Sequence, residues 1–154
     1  MMLRTLSLAA ALVFAPCALA QTPAPTASPS DAVNMDLAVT DAIRTMLDGT
    51  FDEGHIAMLQ SLGHQKAVAA TCPGFELDPR AFANEFNLIY DDTMGKPRTL
   101  NAGQRVELDR KATLALGMAF GAQIAIAAND HSSFCQAATQ ERSGGKVAHL
   151  VWAK

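Results

Sequence analysis

The chain has 154 residues, 49% of them hydrophobic, with 12 Lys and Arg against 15 Asp and Glu and a formal net charge of −3. This length holds one domain that can bury its own core. An acidic balance argues against a nucleic-acid or anionic-membrane surface spread along the chain.

The first twenty residues, MMLRTLSLAAALVFAPCALA, carry one charge at Arg4, an apolar run from Leu6 to Ala15 and a small-residue end at Ala18-Leu19-Ala20. That pattern predicts a secretory signal peptide over 1–20. The apolar run is too short to span about 30 Å of hydrocarbon, and Pro16 interrupts it, so no membrane insertion is expected after its removal. Cys17 follows Pro16, where a lipoprotein signal wants a small residue. Cleavage after Ala20 leaves 134 residues, two cysteines and a net charge of −4. The expected destination is the periplasm, with an extracellular one as the alternative.

Residues 21–33 open with QTPAPTASPSDA, three prolines among small polar residues, a composition that predicts a disordered linker. A helical domain is expected over 34–142. Met35, Val39, Ala42, Ile43, Met46 and Leu47 recur at three- and four-residue steps, the spacing of one helix face. Gly49 is placed to end that helix. In TFDE, Thr50 and Glu53 have capping-box spacing, and Ile56, Leu59, Leu62 and Val68 carry a second helix to Cys72-Pro73-Gly74. Asp78-Pro79 predicts a third helix with Phe82, Phe86, Ile89 and Tyr90 on its apolar face. Asn101 and Gln104 open a fourth.

The fourth helix contains ATLALGMAFGAQIAIAA, Ala112–Ala128, with no charge. A helix apolar all round predicts burial on most sides, with Gly117 and Gly121 admitting a close neighbour inside the fold. A membrane span wants about 20 apolar residues, and this run is flanked by Arg110-Lys111 and Asn129-Asp130. Helix is expected to continue or restart through HSSFCQAATQER, before an extended tail over 143–154 with no evident partner strand. The expected fold is all-α, a bundle of four or five helices around a central apolar one.

Two cysteines in an exported chain predict a structural disulfide, Cys72–Cys135, tying the second helix to the end of the fourth. Catalytic redox chemistry fits poorly, because Cys72 lies at a helix C-terminus, where the dipole opposes a thiolate. The alternative is a metal-binding or metal-delivery protein using His131, Cys135, Cys72 and His64. His131 and Cys135 are four apart, hence on one helical face. No phosphate loop, calcium loop or nucleophile elbow is present. Asp91 and Asp92 with Glu76 or Asp78 are carboxylates of ordinary surface type, and His55, His131 and His149 are expected at the surface or at helix caps. No catalytic residue and no cofactor is assigned, and enzymatic activity is not expected.

Charge is divided unevenly. Residues 31–92 carry eleven acidic and three basic side chains, and residues 93–154 carry four acidic and eight basic ones. Internal pairing of the two halves is the expected reason; a surface that steers a charged partner is the alternative. Small, exported, helical proteins with one disulfide are similar in plan to periplasmic acid-stress chaperones, though no motif here carries residues over from them. The expected function is an exported binding or accessory protein, with an envelope partner or self-association, chaperone-like in envelope stress.

Overall fold

The computed structural model describes residues 29–145, 147 and 149–153, with side chains described from residue 34 onward. The predicted signal peptide and residues 21–28 of the predicted linker lie outside them. Among these residues the fold is an all-α bundle of five helices held by one disulfide. The helices are α1 (Pro29–Leu47), α2 (Glu53–Thr71), α3 (Pro79–Asn87), α4 (Ala102–Asn129) and α5 (His131–Gly144), with a 3₁₀ turn at Leu88–Tyr90.

Helix α1 starts at Pro29, ahead of the apolar periodicity and inside the predicted linker. Proline's fixed φ suits a first helical position, so a segment without apolar faces can still begin a helix. Gly49 leaves α1 at φ 68°. The cap of α2 is Asp52, whose Oδ1 accepts the His55 amide at 2.9 Å, and not Thr50. The predicted box fails because its members are engaged elsewhere. The Thr50 amide still donates to Leu47, its hydroxyl accepts from Lys111 Nζ, and Glu53 pairs with Arg44. The other two predicted starts hold. Asp78 caps α3 through the Arg80 and Ala81 amides, with Pro79 behind it, and Asn101 and Gln104 form a reciprocal box on α4.

Helix α4 packs mainly on α2 and α1, but it is not buried all round. Its inner seam is alanine, at positions 112, 115, 119 and 122. Its outer face leaves Leu114 48% and Val106 66% exposed. Gly117 and Gly121 lie on that outer face, and a Cβ at either would meet nothing within 4 Å. The expectation that they serve close internal packing is therefore wrong. The close approach belongs to Gly63 on α2, where a Cβ would lie 2.7 Å from Ala119 Cβ and 2.9 Å from the Phe120 nitrogen. Hydrophobicity in a helix does not say which face meets a neighbour; the small residues on both partners do.

This contrast is measurable. Gly63→Ala should lower the unfolding free energy by about 1–2 kcal/mol, because overpacking against backbone outweighs the roughly 1 kcal/mol that alanine gains in a helix. Gly117→Ala should raise stability by up to about 1 kcal/mol, having only the helical gain. Urea titration of both variants checks the pair; equal effects would remove the distinction.

The end of the chain is a docked segment with a partner. Asp78 N donates to Val151 O at 2.8 Å, Ala153 N donates to Glu76 O at 2.8 Å, and Leu77 forms an antiparallel bridge with Trp152. Val151 and Trp152 are buried. Helix α5 runs to Gly144, past the predicted start of the tail, and Gly145 ends it at φ 61°.

Candidate functional site

An open cleft of about 490 Å³ lies where the start of α2 meets the 3₁₀ turn and the loop after it. The sequence builds it from three local rules. Asp52 caps α2, which fixes its carboxylate beside the first turn. Three residues on, His55 lies on the inner side of that turn and is only 8% exposed. The loop beyond Tyr90 folds back on itself through an Asp91–Pro97 bridge, with Asp92 Oδ1 accepting the Met94 and Lys96 amides and Gly95 at φ 71°. Asp91 and Asp92 thus line the cleft together with Asp52, Glu53 and His149.

His55 Nε2 lies 3.1 Å from the carbonyl oxygen of Leu88. A carbonyl only accepts, so Nε2 carries a proton. Nδ1 is buried and has no hydrogen-bond partner. It lies 2.9 Å from Asp52 Oδ1, an ion-pair distance when the ring is protonated. Asp52 Oδ2 is likewise buried without a partner. Burial works against the Asp52 charge, but hydrogen bonds from the His55 amide and the imidazole beside it outweigh that. Its carboxyl is held below its ordinary value of 3.8. The Asp52–His55 pair is thus drawn together at the wall of the cleft, with Asp52 Oδ2 left without a donor at a cost of about 1–3 kcal/mol.

The predicted site residues are placed differently. Cys72 and Cys135 are joined, with Cα atoms 5.4 Å apart, and link the end of α2 to α5 rather than to the fourth helix. Their sulfurs are bonded to each other, so neither is a thiolate ligand. His131 Nε2 lies 3.6 Å from Cys135 Sγ and bonds the Thr71 carbonyl at 2.8 Å. His64 is engaged on both sides, by Gln123 Oε1 at 2.8 Å and Glu141 Oε2 at 3.0 Å, and Gln123 in turn donates to Asp36. That chain ties α1, α4, α2 and α5 together. Among the described residues no three His, Cys, Asp or Glu side chains are grouped as a metal site would need. Asp91 and Asp92 line the cleft, whereas Asp78 caps α3 and Glu76 pairs through its backbone with the C-terminal segment.

Two residues escaped the sequence reading. His55 was expected at the surface or in a cap and is buried. Its sequence signal is its place one turn after a capping aspartate, a position where a side chain turns inward when the next turn is apolar. Gln65 is fully buried in the core of α2. Its Oε1 accepts the Val151 amide at 2.8 Å, its Nε2 donates to the His149 carbonyl at 2.8 Å, and its own carbonyl accepts Trp152 Nε1.

The two halves meet through the histidine pairs His149–Glu85 and His64–Glu141. Among the described residues, no Lys or Arg of residues 93–154 pairs with a carboxylate of residues 31–92. The basic half instead meets carbonyls and rings. Arg98 donates to the Asp91 and Thr50 carbonyls and lies over Phe51, and Arg142 donates to the Gly74 carbonyl and lies 4.0 Å from the Phe75 centroid. No family model, curated protein or solved structure matches the chain.

Proposed function

We propose that the protein is an exported binding protein of the periplasm that takes its ligand in the Asp52–His55 cleft. The observation that carries this reading is the Asp52–His55 pair at the wall of an open cleft of about 490 Å³, with Asp52 Oδ2 left without a donor. Folding gains nothing from leaving that oxygen unpaired, whereas a ligand that supplies a donor recovers it. The disulfide fits an oxidising compartment outside the cytoplasm, which agrees with the signal-like first twenty residues.

Binding is favoured over chemistry by what surrounds the pair. Thr93 supplies the one hydroxyl side chain of the lining, and no cysteine or lysine belongs to it, so the Asp–His pair has no evident nucleophile to activate. A chaperone-like role draws on a different surface, the outer face of α4, where Val106 and Leu114 are exposed.

The test is a nuclear magnetic resonance screen of cationic, anionic and neutral small molecules against the purified protein. Saturable shifts are expected at the amides of Gly54, His55, Leu88 and Thr93. Shifts confined to other surfaces, or none from any class, would refute the cleft as a binding site.

A further inference from the structure

Away from the cleft, four side chains from four helices stand in one line. Gln123 on α4 donates its Nε2 to Asp36 Oδ1 on α1 at 3.0 Å, and its Oε1 lies 2.8 Å from His64 Nδ1 on α2. His64 Nε2 lies 3.0 Å from Glu141 Oε2 on α5. An uncharged ring cannot fill this line. The carboxylates of Asp36 and Glu141 only accept, so Gln123 turns its amide nitrogen to Asp36 and leaves its oxygen to His64. Both ring nitrogens then face acceptors, and imidazolium alone donates from both. Turning the Gln123 amide over would give Nδ1 a donor but set Oε1 against Asp36 Oδ1. The line needs one proton more than a neutral histidine and two carboxylates hold.

His64 is partly buried between two cavities. One of about 270 Å³ is bounded by α1, α2 and α4, and one of about 320 Å³ by α2 and the end of α5. Charged groups reach the ring from both sides: Glu141 from α5, and Asp36 from α1 through Gln123, while α4 offers only the uncharged amide. The rings of Phe134 and Trp152 lie 5.6 and 6.5 Å from it. Among the described residues no lysine or arginine lines either cavity, and Lys66, two positions along α2, lies over Phe82 and Phe120. A proton on the ring thus sits between two negative ends with no competing cation.

We propose that His64 is a proton-operated latch that docks α1 on α4. Protonated, it completes the Asp36–Gln123–His64–Glu141 line; unprotonated, it undoes the Asp36 end. Only the folded chain uses this proton. The stability it lends is therefore present in acid and lost as pH rises through about 5 to 8, where histidine ordinarily gives up its charge. When the proton leaves, Nε2 keeps its hydrogen, because a carboxylate is the stronger acceptor. Nδ1 then accepts, the Gln123 amide turns to donate to it, and Asp36 loses that donor. Release falls on α1 rather than on α5, which the Cys72–Cys135 bond also holds. No residue of the latch lines the Asp52–His55 cleft, so the two stand or fall separately.

The experiment follows the His64 ring nitrogens by nitrogen-15 magnetic resonance between about pH 5.5 and 8.5, the range in which histidine rather than a carboxylate ordinarily changes charge. Exchange of the α1 amides from Asp36 to Thr40, corrected for base catalysis, is measured alongside. Both ring nitrogens should carry hydrogen at the acid end and Nε2 alone at the alkaline end. Exchange in α1 should quicken about fivefold between them, the worth of one hydrogen bond. Two variants, checked for folding by thermal unfolding, separate the latch from the other histidines. In Glu141→Gln the new amide can donate to Nε2, so a neutral ring with its hydrogen on Nδ1 completes the line at every pH. His64→Gln has no group there to titrate. In both, α1 exchange should stay level. A neutral ring at the acid end, α1 exchange unchanged across the range in the intact protein, the same quickening in either variant, or quickening confined to α5 would each overturn the proposal.

Discussion

Replacing Cys72 and Cys135 together by alanine is expected to lower the unfolding free energy by about 4 kcal/mol. The two residues are 63 apart in sequence, and closing a loop of that length in the unfolded chain removes entropy of that size. The tie also matters locally. Helix α5 meets the rest of the bundle through fewer contacts than α4 does, and the bond fastens its second turn to the end of α2. Phe134 and Ala138 are buried beside it, and the His131 bond to the Thr71 carbonyl runs across the same junction. Urea titration of the double variant measures the global effect, and hydrogen exchange of the α5 amides measures the local one. A loss below about 1 kcal/mol would show that the loop is already restricted in the unfolded chain. Intact protein should also have a mass two hydrogens below the sum of its residues, and two alkylatable thiols would contradict the bond.

Gln65→Leu is expected to cost about 3 kcal/mol although leucine fills a similar volume. Gln65 gives the C-terminal segment three bonds: one to the Val151 amide, one to the His149 carbonyl, and one from Trp152 Nε1 to its backbone. Leucine keeps only the last. The Val151 amide then loses its acceptor in a fully buried position, and the His149 carbonyl loses its donor, at about 1–3 kcal/mol each. Part of that cost is recovered if the segment lifts away and reaches water. Trp152 reports this directly, being the single tryptophan of the chain and 4% exposed in the native fold. A red shift of its emission at denaturant concentrations where α-helical circular dichroism is intact would show the segment leaving first. Unchanged emission with unchanged stability would mean that Gln65 is not what holds it.

The segment also bears on the cleft. His149 has a positive φ of 54° and its ring bonds Glu85 at 2.6 Å, so one wall of the cavity is held by the same segment that Gln65 anchors. Gln65→Leu should therefore disturb the cleft as well as the core.

Where the sequence was legible, the signals were short and local. Asp78-Pro79 and Asn101 with Gln104 start helices because a cap bonds amides two or three residues away, within reach of any chain that begins to coil there. Thr50 and Glu53 carried the same spacing and failed, since Lys111 and Arg44, distant in sequence, engage them in the fold. Spacing proposes a cap; competition from elsewhere in the chain decides it.

The candidate site was less legible. Asp91 and Asp92 stood out as neighbours, and His55 and Asp52 did not, because an aspartate capping a helix is ordinary and a histidine three residues later equally so. What fixes them together is the Leu88 carbonyl, 33 residues further along, which takes one ring nitrogen while the other lies against Asp52 Oδ1.

By itself the amino-acid order determined an all-helical fold and the starts of α3 and α4, since helix periodicity and local capping act over short range, and it pointed to the Cys72–Cys135 pair once the expected signal peptide with Cys17 is set aside. Only the packed molecule decided which side of α4 is inside, that Gly63 rather than Gly117 or Gly121 is the point of closest approach, and that Gln65 holds the C-terminal segment. Those outcomes depend on distances between residues remote in sequence, and such distances are set when helices press together.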